Sequence, residues 1–154
     1  MLDAELRALR TPEAMAAWLV SWARWTDTYD LTLYFAPSTF RRQGWGSCTA
    51  HARMWERWAR LNRTRAYVVA FWAPHIRAHA VAIFEWPRLR EWRTGSNALY
   101  DPTPLAKPGD TYRGAAAAAA ASDWSGGTWV RAEVNREADG AVIEELWRDS
   151  IPIP

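Results

Sequence analysis

The chain has 154 residues, 49% of them hydrophobic and 23% charged, with a formal net charge of +2. That length suits a single domain over residues 1–154, and the apolar content excludes a disordered chain. No apolar run approaches the ~20 residues that span a bilayer, and the opening MLDAELRALRTPEA lacks the layout of an export signal. A cytoplasmic domain without membrane association is expected. Of 19 basic residues only Lys107 is a lysine, and with 17 acidic residues beside them no basic tract predicts a nucleic-acid partner.

The first helix is expected where Thr11 can cap, Pro12 suits the first turn and Glu13 meets the positive end of the dipole. Met15, Trp18, Leu19 and Trp22 then recur at helical spacing on one apolar face. From Asp27 to Gln43 the pattern dissolves into an approach loop, with one brief strand expected over Leu31 to Phe35. Gly44-Trp45-Gly46-Ser47 reads as a tight turn with Ser47 as N-cap. The helix that follows runs from Cys48 to Leu61, with Cys48, Ala52, Trp55 and Ala59 on one face, widened by Met54 and Trp58. Arg53, Glu56, Arg57 and Arg60 are expected to point elsewhere, and Asn62 to close the helix.

Strands come next. Ala66 to Trp72 is β-branched and aromatic, and Pro74 interrupts it. His79 to Trp86 alternates, with Val81 and Ile83 on the side of His79, and Pro87 ends it. Arg88 to Ser96 reads as a loop, and Asn97 to Asp101 as a short third strand stopped by Pro102. The alanine run Ala115 to Ala121 has helical propensity but little to bury. Trp129 to Val134 alternates like a strand, Asp139-Gly140 is a turn signal, and Val142 to Trp147 is either its hairpin partner or a short helix. The fold class is therefore α+β, helices packed on an antiparallel sheet.

Cys48 is the only cysteine, so neither an internal disulfide nor a multi-cysteine zinc site can form. Its place in the first turn of a helix, after a glycine-rich turn, favours the thiolate and offers N–H groups to an oxyanion. A thiolate nucleophile needs an imidazole to hold and return a proton, and His79 opens a later strand. The imidazole needs an orienting acceptor, and Asp101, held extended by Pro102, ends the third strand. If those two strands are adjacent, His79 and Asp101 come within reach of each other.

Gly46-Ser47-Cys48 opening a helix, then Arg65-Ala-Tyr-Val-Val, His79-Ala-Val-Ala-Ile-Phe and Leu99-Tyr-Asp101-Pro-Thr103, resembles the transglutaminase-like core of the papain-like cysteine peptidase superfamily. The resemblance covers about residues 43–104. It implies a nucleophile at Cys48, a base at His79 and an orienting acid at Asp101. Gln43 resembles the glutamine that donates to the oxyanion in papain-type enzymes, and Trp45 competes for the same wall. The chemistry implied is amide hydrolysis of a peptide or protein through an acyl-enzyme, without a cofactor. Transamidation, cell-wall amidase activity and a non-catalytic interaction module of the same fold are the alternatives.

Each piece also has a plainer reading. Cys48 could be a small buried hydrophobe, His79 a hydrogen-bonded core histidine, and Asp101 a strand-ending turn residue. Cys48-x-x-His51 with His75-x-x-x-His79 has the form of a zinc set, but one helical turn from His75 conflicts with the strand pattern at His79, and no metal is expected. The tryptophans fall on apolar faces and read as core. Arg41, Arg42, Arg88, Arg90 and Arg93 read as solvated loop residues, or as selectors of an acidic substrate.

Overall fold

The computed structural model describes residues 1–26, 36–74, 76–86, 91–105, 111–121, 129–135 and 142–147. The expected strand at Leu31 to Phe35, the turn at Asp139-Gly140, and His75, Pro87, Arg88, Arg90 and Lys107 lie outside them. Helices α1 (Leu2–Ala8), α2 (Pro12–Trp22), α3 (Pro37–Gln43) and α4 (Cys48–Leu61) come first, with two-residue strands β1 (Arg24–Trp25) and β2 (Trp45–Gly46) paired in parallel between them. Six strands follow: β3 (Ala66–Ala73), β4 (Ile76–Trp86), β5 (Glu91–Ser96), β6 (Leu99–Asp101), β7 (Arg131–Asn135) and β8 (Val142–Trp147), with α5 (Tyr112–Ala121) inserted before β7. They form one antiparallel sheet in the order β6-β5-β4-β3-β7-β8. No helix among the described residues is long and apolar enough to cross a membrane.

The expected α2 forms as read, with Thr11 Oγ1 accepting from Ala14 N–H. Two helices depart from the reading. α1 is short, and its ends are fixed by tertiary contacts: Asp3 pairs with Arg57, Glu5 with Arg41, and Leu6 is fully buried. α3 replaces the end of the expected loop, started by Pro37 and stopped by Gly44 at φ 81, a left-handed C-cap suited to glycine.

The helix α4 has the expected bounds, but its polar face is only partly solvated. Arg53 and Glu56 are buried and paired at 2.9 Å, and Arg60 reaches Glu56 and the Ala66 carbonyl. A buried charge is tolerated only when paired, and the i,i+3 and i,i+4 spacing supplies that pairing within one helix.

The sheet has two unlike faces. Ala66, Val68, Ala80, Ala82 and Phe84 face α1 to α4, whereas Val69, Phe71, Val81 and Ile83 face α5. On the first face mostly small sheet residues receive Met54, Trp55 and Trp58 of α4. On the second, large sheet residues receive Ala115, Ala116, Ala119 and Ala120 of α5, which approaches closely because it carries only methyl groups there. The alanine run therefore does have something to bury. At its start Tyr112 Oη donates to Glu144 Oε2, and Arg113 pairs with the same carboxylate, tying α5 to β8.

The tightest spot is Gly95 of β5, where an added Cβ would run into the Trp55 indole. Trp55 is fully buried, stacks on Phe84 and donates from Nε1 to the Asn97 carbonyl at 2.8 Å, so the ring cannot retreat cheaply. Gly95→Ala is expected to lower the unfolding free energy by about 1–3 kcal/mol, the usual cost of overpacking, as read from urea denaturation midpoints at unchanged slope.

Candidate functional site

Cys48 is the first residue of α4, and its half-exposed side chain rests against Val68 and Ala80. Ser47 occupies the N-cap position, but its side chain makes no capping bond; its carbonyl is hydrogen-bonded to His51 Nδ1 at 2.9 Å. Burial pushes the Cys48 thiol above its ordinary pKa. The Ala80 N–H, the Thr49 side chain and the N–H groups of the first turn act in the opposite direction and lose to it. The sulfur is therefore a thiol at neutral pH, despite the helix terminus.

His79 lies on β4, one residue before the alanine that touches the sulfur. Successive side chains of a strand leave on opposite faces. His79 pairs across the sheet with Phe71, and the two rings meet edge to face at 5.6 Å between centroids, on the α5 face. Val81 and Ile83 share that face, as the alternation predicted. The sheet thus lies between the His79 imidazole and the Cys48 sulfur. Ring nitrogen Nε2 is 2.9 Å from Ser96 Oγ. Burial draws the imidazole pKa down to about 4, so the ring is neutral at pH 7.

Asp101 ends β6, opposite Thr94, and so projects from the same face as His79. The two strands are not neighbours, however, because Glu91–Ser96 forms β5 and inserts between them. The expected loop contains alternating residues that fill both faces, Trp92 and Thr94 on one and Gly95 on the other. Asp101 Oδ1 accepts the Thr103 N–H at 2.8 Å, an Asx turn that fixes the carboxylate locally. The group beside the imidazole is Ser96, which the sequence reading did not single out; its signal was its position at the end of the strand next to β4.

Gln43 donates from Nε2 to the Trp45 carbonyl at 2.8 Å, pinning the turn before α4. Trp45 is exposed on β2. His51 is buried against Phe40, its ring edge to face at 4.7 Å, and burial lowers its pKa more than the Ser47 carbonyl raises it. No group of three or more His, Cys, Asp or Glu side chains converges among the described residues. Arg41 and Arg93 do not lie in loops: Arg41, on α3 and partly exposed, lies over Trp18 and Trp22 and pairs with Glu5, and Arg93, on β5, bonds Glu91 and the Tyr100 hydroxyl.

Beside the β5–β6 turn a cleft of about 370 Å³ opens, with Thr94, Ser96, Asn97 and Asp101 among its lining residues. Asn97 turns the hairpin at φ 51, a left-handed conformation that asparagine tolerates. Its Oδ1 is buried and accepts no hydrogen bond among the described residues. His79, through Ser96, stands directly behind this cleft.

No protein-family model matches the chain, and no curated protein matches it.

A histidine held neutral in the fold but protonated in the unfolded chain links stability to pH. Between its unfolded pKa near 6.5 and about 4 the unfolded chain binds the extra proton, so stability is full above 6.5 and falls as pH drops. The loss expected from His79 is about 3 kcal/mol across that window. His79→Gln, which keeps an amide beside Ser96, is expected to show a correspondingly shallower fall between pH 6.5 and 4 in denaturant titrations.

Proposed function

We propose that the domain is a cysteine-dependent amide hydrolase with Cys48 as nucleophile, His79 as proton carrier and Asp101 as the acid on the imidazole's side of the sheet. The observation that supports this is the placement of Cys48 as the first residue of the 14-residue α4, its sulfur against the N–H of the residue that follows His79. In the proposed cycle the Cys48 thiol gives its proton to the His79 imidazole as the sulfur attacks the amide carbonyl, and the first-turn N–H groups take the oxyanion. The C–N bond breaks as the imidazolium hands its proton to the leaving amine. Water then attacks the thioester while the imidazole takes its proton, and the C–S bond breaks to release the acid and the thiol. Gln43 would join the oxyanion donors only by giving up its bond to the Trp45 carbonyl.

Turnover requires the imidazole to reach the face that carries the sulfur. The segment that would have to turn is the start of β4, which pairs with β3 across a register shift between Phe71 and Ala73 and lies beyond the last β4–β5 partner, Ala82. The arrangement described above is then the resting one, with thiol and imidazole both neutral.

A second reading, a ligand-binding module without turnover, is favoured by the intervening sheet and by the bond from His79 to Ser96. Amide turnover separates the two. If the catalytic proposal holds, the protein hydrolyses peptide amides, and Cys48→Ala and His79→Ala each abolish that turnover with the fold intact. Turnover that persists in folded Cys48→Ala, or no turnover by the unaltered protein on a peptide library, overturns the catalytic proposal and leaves the binding module.

A further inference from the structure

We infer that His51 is a positioning residue for the first turn of α4: its ring grips the Ser47 carbonyl and so holds the Cys48 N–H, the other end of the same peptide unit, against the sulfur. The oxyanion role of that N–H rests on the hydrolase reading, whereas its hold on the sulfur stands without it. A carbonyl oxygen only accepts, so the 2.9 Å contact from Ser47 to His51 Nδ1 makes Nδ1 the protonated nitrogen and fixes the tautomer. The same oxygen also accepts the His51 N–H at 3.2 Å, the ordinary first bond of the helix, and the ring adds a second, shorter one. With no capping bond from the Ser47 side chain, the ring takes over the fixing of this turn.

A trans peptide unit is planar, with its C=O and N–H pointing in opposite directions, so holding one aims the other. The Cys48 N–H is one of the donors that face the sulfur, together with the Thr49 N–H, the Thr49 side chain and the Ala80 N–H. The ring has no room to swing off the carbonyl. It is 1% exposed and meets Phe40 edge to face at 4.7 Å. Phe40 in turn lies on Gly46, where an added Cβ would come within 3.0 Å of its ring and 2.7 Å of Ala50 Cβ. Burial lowers the imidazole below its ordinary pKa, so at pH 7 and above the ring gives the turn a hydrogen bond and not a charge.

The test compares His51→Asn with His51→Leu. The two side chains are alike in size and both lack the ring, but Asn Nδ2 branches from Cγ as Nδ1 does and can donate to the Ser47 carbonyl. The first readout is the pH midpoint of Cys48 alkylation by iodoacetamide. His51→Leu is expected to raise that midpoint by about half a unit or more, and His51→Asn to leave it close to that of the unaltered protein. The second readout is peptide hydrolysis, where His51→Leu is expected to lower kcat about tenfold at little-changed KM and His51→Asn to restore most of it. An unmoved midpoint in both variants overturns the inference, and so does an equal shift in both, the mark of a merely structural role. If neither variant folds, the imidazole ¹⁵N shifts of the unaltered protein decide: a proton on Nδ1 supports the inference and a proton on Nε2 overturns it. Absence of hydrolysis by the unaltered protein overturns the hydrolase reading and the oxyanion role with it, while the alkylation midpoints still decide the hold on the sulfur.

Discussion

A long helix can lie close to a sheet only where one of the two surfaces is built from small side chains, and the domain meets that condition in opposite ways on its two faces. Beneath α4 the sheet is mostly small, with Ala66, Ala80, Ala82 and Gly95 around Phe84, and the helix brings the indoles of Trp55 and Trp58. Above it the sheet brings Phe71, Val81, Ile83 and Trp92, and α5 is alanine. Exchanging the faces would press indoles on large aliphatics on one side and leave methyl groups facing voids on the other. The parity of every strand residue, and so the side on which each polar group emerges, follows from this division.

His79 is the clearest case. It shares parity with Val81 and Ile83, which must meet α5, and so its imidazole goes to that face, whereas Ala80 receives the Cys48 sulfur. Burial on each side then disfavours charge: the thiol is held protonated and the imidazole neutral. A Cys-His pair cannot exchange protons through a layer of backbone, so the hydrolysis proposed at Cys48 would need movement at the start of β4, where among the described residues β3 alone provides ladder partners.

Much of the helical layer was legible in the residues themselves. Thr11-Pro12 and Cys48 to Leu61 carry their own caps and periodicity, and those helices form where the pattern puts them. The alternation from His79 onward likewise placed Val81 and Ile83 beside it. What stayed hidden was set by distant partners. α1 depends on Arg57 and Arg41, far along the chain. β5 contains Glu, Arg, Thr and Gly, which read as loop, and becomes a strand because Gly95 makes room for Trp55 while Trp92 fills the other face. That hidden strand separates β4 from β6, and with it His79 from Asp101. Likewise Arg53 and Glu56, charged and at first sight solvent-facing, are buried because each satisfies the other.

The alanine surface of α5 has a mechanical corollary. A helix whose buried side bears mostly methyl groups resembles a smooth rod in a trough: it packs closely, and along its alanines no protruding side chain interlocks to stop it sliding along its axis. At the rod's first turn the Tyr112 ring packs on Tyr67, and Glu144, gripping both Tyr112 and Arg113, completes the detent. The sixth strand of the sheet thereby sets the longitudinal position of a helix it barely supports from below, and any change in that strand's pairing would be transmitted to the core as an axial displacement of α5.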